Sequence, residues 1–158
     1  MQSPATHVTL KRFVCQFTTG TVSGSPYVYI KNTTASGVDY EIDGVQLQKL
    51  TPATTTYHSP PDNFETDITS YIWPITSETI SWSTTQANSP THSASVATTS
   101  SASSGAYEYL SLENYKHYQV SFWGRLDSGT FSTLQVGYDD GNGVKTNCLT
   151  GQTLSTGS

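Results

Sequence analysis

KRFVCQFTTGTVSGSPYVYIKNTTASGVDYEIDGVQLQKL, residues 11–50, decides the fold class. After Leu10, the residues Phe13, Cys15 and Phe17 alternate with polar neighbours, and the run stops at Thr18-Thr19-Gly20. Alternation with a period of two puts one side of a strand against a core. Ser23-Gly24-Ser25-Pro26 reads as a turn, and Tyr27–Lys31 as a strand with Val28 and Ile30 on its core face. Tyr27, Tyr29 and Lys31 then face out. Ala35-Ser36-Gly37 turns the chain again, and Tyr40–Leu47 reads as a strand with Ile42, Val45 and Leu47 as core candidates. Short strands punctuated by Gly, Pro and Ser turns predict an all-β antiparallel sandwich.

Working outward, residues 51–62 (TPATTTYHSPPD) carry Pro52, Pro60, Pro61 and a Thr run without periodicity. They read as a stiff, partly extended linker. Beyond it, the Ser-rich stretch 98–104 reads as an exposed loop, and Tyr107–Leu112, Tyr118–Arg125 and Ser132–Tyr138 as strands. Asp139-Asp140-Gly141-Asn142-Gly143 is a hairpin-turn signal. No window of eleven residues keeps a helical period, so helix should be nearly absent. Gln2-Ser3-Pro4-Ala5-Thr6 and Gln152-Thr153-Leu154-Ser155-Thr156 overlay at an offset of 150, a faint repeat that suggests one period of a tandem array.

The 158 residues suffice for one ordinary domain with a real core. Only 12% are charged, and ten Tyr, five Phe and three Trp supply core material. The net charge of −5 and seven unclustered Lys and Arg argue against a nucleic-acid partner. No apolar run is long enough to insert into a bilayer. Ser and Thr number 48, and together with few Lys, two Cys and the sequon Asn32-Thr33-Thr34 they point to an extracellular or cell-surface protein.

Tyr118-Gln119-Val120-Ser121-Phe122-Trp123-Gly124-Arg125 resembles a strand of carbohydrate-binding modules that have a galactose-binding-like jelly roll. Asn63-Phe64-Glu65 looks like the family's opening strand, and Lys11–Thr19 like a later one, with Leu10 where Trp is usual. Tyr40-Glu41-Ile42-Asp43-Gly44-Val45-Gln46-Leu47 looks like its closing strand, with Gly44 in place of a second Asp. The resemblance implies a jelly roll whose order is rotated. Residues 1–50 hold the closing strands, 51–62 the linker and 63–158 the opening strands. Such a chain either closes on itself as a circular permutant or completes its neighbours in a fibre.

Alternation sorts candidate side chains. On the strand around 118–125, Gln119, Trp123 and Arg125 point away from the core, as does Gln135 between Leu134 and Val136. With Tyr29 they form an outward set suited to sugar, aromatic faces stacking on pyranose C–H surfaces while amide and guanidinium groups bind hydroxyls. The bland alternative is that Trp123 merely covers the sheet. The resemblance also implies a structural Ca²⁺ between Asp43 and Glu65, against the alternative of two solvated carboxylates. In the family's natural order Cys15 and Cys148 fall on strands joined by one short connection. A disulfide is therefore expected, within one chain or, in a polymer, between two; the alternative is a pair of free thiols.

Catalytic signatures are missing: there is no G-x-S-x-G, H-E-x-x-H or C-x-x-C. His7, His58, His92 and His117 fall in termini, linker or loops. The expectation is a non-catalytic extracellular structural or adhesive module of a repeat or fibre protein. It would assemble with copies of itself head-to-tail by strand complementation. The alternative is a module that recognises a polysaccharide through an aromatic sheet face.

Overall fold

In a computed structural model, residues 10–33, 37–50, 55–57, 72–84, 91–98, 103–128 and 131–154 are described. They hold β1 (Lys11–Thr18), β2 (Tyr27–Asn32), β3 (Asp39–Lys49), β4 (Thr55–Tyr57), β5 (Ile72–Pro74) and β6 (Thr79–Ser83). β7 (Ser93–Ala97), β8 (Ser104–Tyr109), β9 (His117–Ser128), β10 (Phe131–Asp139) and β11 (Lys145–Leu154) complete them. The fold is an all-β sandwich of two antiparallel sheets. Sheet A runs β1-β9-β3-β7-β6, with β4 also on β3, and sheet B runs β11-β10-β2-β8-β5. Strands from both ends of the chain interleave in each sheet: β9 lies between β1 and β3, and β2 lies between β10 and β8.

The alternation seen in the sequence builds the core. Phe13, Cys15 and Phe17 of β1 meet Tyr118, Val120 and Phe122 of β9, all buried. Phe13 stacks on Phe122 with centroids 5.2 Å apart, and Phe17 spans the sandwich to Tyr138 of β10 at 4.6 Å. Burying such aromatic side chains is the largest stabilising term available to a chain this poor in charge.

One expectation is corrected, and one stretch gains a strand. Within the stretch read as a linker, Thr55–Tyr57 form β4, paired with Leu47–Lys49. β7 covers only Asp39–Ile42 of β3, so the second half of β3 offers a free edge, and a Thr-Thr-Tyr run is well suited to pair with it. The remainder of that stretch lies outside the described residues. His117 is not in a loop but opens β9, opposite Thr18 of β1. Among the described residues no helix is long and apolar enough to cross a membrane.

Cys15 and Cys148 form a disulfide, their Cα atoms 5.5 Å apart. β1 is the edge of sheet A and β11 the edge of sheet B, so the bond ties the two sheets along one flank. β10 and β11 are joined by the expected hairpin turn. Asp139 Oδ1 accepts from the amides of Gly141 and Gly143, and Asp140 Oδ1 from those of Asn142 and Val144. Gly141 has φ +87°, and a side chain there would run into the Ser23 carbonyl, so the turn requires glycine.

Candidate functional site

The outer face of sheet B carries an aromatic platform. Strand register sets out its rows. One row reads Lys145, Asp139, Tyr27, Tyr109 across β11, β10, β2 and β8. The next reads Asn147, Gly137, Tyr29, Tyr107, Trp73 across all five strands. A third places Gln135, Lys31 and Gly105 side by side. With strands about 4.8 Å apart, the five-strand row is about 19 Å long.

Packing within the platform follows from one small residue. A Cβ on Gly137 would fall 2.5 Å from the Tyr29 hydroxyl, so glycine there leaves a seat in which the Tyr29 side chain lies across β10. Its hydroxyl donates to Asn147 Oδ1 at 2.6 Å, and only 1% of the residue is exposed. Burial pushes the Tyr29 phenol up to about 12. Around this floor, Tyr27 and Tyr107 lie 4.6 Å apart, Tyr27 meets Tyr109 edge-on at 6.0 Å, and Tyr107 meets Tyr109 edge-on at 5.3 Å. Edge-to-face contacts hold rings rigidly while leaving their tips free. Tyr109 is 48% exposed and Trp73 is 42% exposed. Lys31 Nζ stands 5.1 Å from the Tyr29 ring centroid, and Lys145 Nζ lies 3.5 Å from Asp139.

The expected sugar-binding set is not gathered in one place. Gln135 and Tyr29 lie on face B, but Tyr29 is buried, contrary to expectation, because Gly137 lets it lie flat. Gln119, Trp123 and Arg125 belong to β9 and lie on the outer face of sheet A, across the sandwich. There Gln119 accepts from Gln16 at 3.0 Å, and Trp123 is half-buried opposite Arg12 and Asp43. Arg125 is 8% exposed, with its Nη2 2.8 Å from Asp127. Glu41 beside it accepts from Ser83, and burial pushes its carboxyl up to about 7.

Of the expected calcium pair, Asp43 is fully buried and accepts from the Gly44 amide at 2.6 Å. Glu65 lies outside the described residues. Among those described, no cluster of three or more His, Cys, Asp or Glu is placed to hold a metal.

Tyr107, Tyr109, Trp73 and Lys145 were not singled out from the sequence. The available signal was the pair of Tyr-x-Tyr stretches at 27–29 and 107–109. Each puts two rings on one face of a strand, and pairing of β2 with β8 sets them side by side. No family model, curated protein or solved structure matches this chain. The likeness to carbohydrate-binding modules rests on the four motifs alone.

Proposed function

We propose that the chain is a non-catalytic extracellular adhesive module that binds a polysaccharide along the outer face of sheet B. The observation that carries this reading is the cluster of Tyr27, Tyr107, Tyr109 and Trp73 in two adjacent rows on neighbouring strands, with Tyr109 and Trp73 presenting exposed rings. A cluster of rings held edge-to-face, with Tyr109 and Trp73 exposed, offers pyranose faces separate stacking surfaces, and Gln135, Asn147, Lys31 and Lys145 supply hydrogen bonds at its margins. A disulfide between the sheets suits an oxidising, secreted setting. Head-to-tail assembly remains a second reading because β1, β2 and β3, which complete both sheets of this chain, could complete a neighbour's instead.

Affinity electrophoresis through gels loaded with soluble polysaccharides tests the first reading. Retardation by at least one polymer, abolished in Trp73→Ala with Tyr109→Ala, is the expected result. Mobility unchanged by every polymer would remove it. Light scattering tests the second: a mass of one chain excludes stable strand exchange, and a ladder of multiples supports it.

A further inference from the structure

We infer that the platform on sheet B takes a polysaccharide of uronic acid residues, with Lys31 and Lys145 holding its carboxylates. This rests on the polysaccharide-binding reading above and adds the class of sugar. Two of the seven basic side chains of a chain with net charge −5 stand on this one face. Lys31 makes no ion pair among the described residues; its ammonium sits over the Tyr29 ring instead. Burial and the charge of Lys145 push its amine below the ordinary value, as expected of a cation placed without an anion. Lys145 is paired at 3.5 Å with Oδ2 of Asp139, a buried carboxylate whose Oδ1 receives the turn amides of Gly141 and Gly143, so only the ammonium of this pair is exposed to a ligand. Face B thus holds two cations and no exposed carboxylate among the described residues. Glu108 of β8 points the other way, into the core cavity.

The opposite face has the reverse sign. Asp39, Glu41, Asp43 and Asp127 lie there against two cations, Arg125 paired to Asp127 and the exposed Arg12. A polyanion is repelled from that side and drawn to the platform. The two lysines bracket the Tyr29 row from opposite corners, two strands and four residues apart, so their Cα atoms are about 16 Å from one another. Cations at two corners of the platform suit a linear polymer carrying several charges better than a single charged sugar. A uronate carries its carboxylate on the ring itself. One residue can therefore stack on a tyrosine and present its charge at the height of a lysine from the neighbouring row.

Polygalacturonate and its methyl ester separate charge from shape, because esterification keeps the chain and removes the anion. By isothermal titration the full-length chain should bind the acid form about tenfold more tightly than the ester, a preference that added salt erodes. Lys31→Gln with Lys145→Gln should bring the two polymers to equal affinity and remove the salt dependence of binding the acid form. Equal affinity of the native chain for both polymers overturns the inference while leaving the platform intact. A sulfated neutral polysaccharide that binds more tightly than polygalacturonate overturns the uronate assignment. If no polysaccharide binds and Trp73→Ala changes nothing, the polysaccharide-binding reading itself fails.

Discussion

The two outer faces of this sandwich start from the same strand alternation and end in opposite conditions. On sheet A the outward residues complement one another, across strands and, for Arg125 and Asp127, along β9. Gln16 meets Gln119, Thr18 meets His117, Ser83 meets Glu41, Arg125 meets Asp127 and Ser128 meets Asp39. On sheet B the outward residues are tyrosines, a tryptophan and two lysines, whose rings pack on one another and leave edges and an ammonium unspent. Where such groups are already engaged, a ligand gains little, since each new hydrogen bond replaces an old one; Arg125 Nε and Nη1 and Glu41 Oε2 are the exceptions on this face, buried without a hydrogen-bond partner among the described residues. A face of rigid rings with the Lys31 ammonium held only over a ring gains from both stacking and charge. The side chain opposite each outward residue decides which kind of face results, and strand alternation alone does not reveal it.

Both faces hold their shape only while the sheets stay registered, and the Cys15–Cys148 bond fixes one flank. Breaking it should give the largest effect. The sequence separation of 133 closes a long loop in the unfolded chain. In the chain-entropy account such closure contributes about 4–5 kcal/mol. Cys148→Ser should lower the unfolding free energy by about that amount in urea titration. A loss under about 1 kcal/mol would mean that packing alone keeps the faces in register.

Each sheet also buries one strained acid, and the two can be set against each other. Glu108 faces an apolar cavity behind the platform, lined by Val28, Ile30, Ile72 and Leu110, and burial pushes its carboxyl up to about 8. The native state therefore holds a proton that the unfolded chain releases at the ordinary value of 4.5. Stability attributable to this group is undiminished below the ordinary value. It falls as pH rises between there and about 8, then levels off. Glu108→Gln removes the titration and should stabilise the protein by up to about 3 kcal/mol at about pH 7, with no gain at about pH 4. Glu41→Gln should follow the same sign but level off sooner, near the value of about 7. Equal gains at acid and alkaline pH for Glu108→Gln would refute burial of a neutral carboxyl.

Much of the fold was legible in the sequence because its long strands carry large apolar residues at every second place. Phe13, Cys15 and Phe17, and likewise Tyr118, Val120 and Phe122, leave no other period to choose. β5, β6 and β7 were missed for the opposite reason. Ser-Ala-Ser-Val-Ala and Thr-Ile-Ser-Trp-Ser are too small or too polar to show an apolar stripe, and Ile-Trp-Pro contains a residue suited only to an edge. The disulfide was legible through the resemblance, whose natural strand order puts the two cysteines on strands joined by one short connection. The platform was not. β2 and β8 lie about eighty residues apart in the chain, and nothing local says that one Tyr-x-Tyr will lie against the other. Trp123 drew attention as an outward tryptophan, but cross-strand neighbours on β1 and β3 half-bury it.

The tryptophans give the next contrast. Trp73→Ala on face B should weaken polysaccharide binding about tenfold, on the scale of one stacked aromatic contact. Unfolding free energy should move little, because the ring is 42% exposed on an edge strand. Trp123→Ala on face A should do the reverse, costing about 1–2 kcal/mol of stability through lost packing and leaving affinity unchanged. Titration of both variants with one polysaccharide, beside urea melts of each, reads the two quantities separately. Loss of affinity in Trp123→Ala at unchanged stability would move the binding face to sheet A.

The finest discrimination comes from two glutamines, one on each face. Gln119 of β9 is engaged by Gln16, and Gln135 of β10 stands beside Lys31 at the margin of the platform. Both are partly exposed, so truncating either to alanine should change stability by no more than about 0.5 kcal/mol. Their effects on binding should differ. Gln135→Ala removes an amide within reach of a ligand lying over Lys31, and should weaken binding about threefold, the scale of one net hydrogen bond. Gln119→Ala should leave binding untouched, since its carbonyl is already occupied and faces the other way. Matched chemistry, matched exposure and opposite sheets make this pair sensitive to location alone. If the two variants weaken binding equally, the difference between the faces is one of stability and not of function.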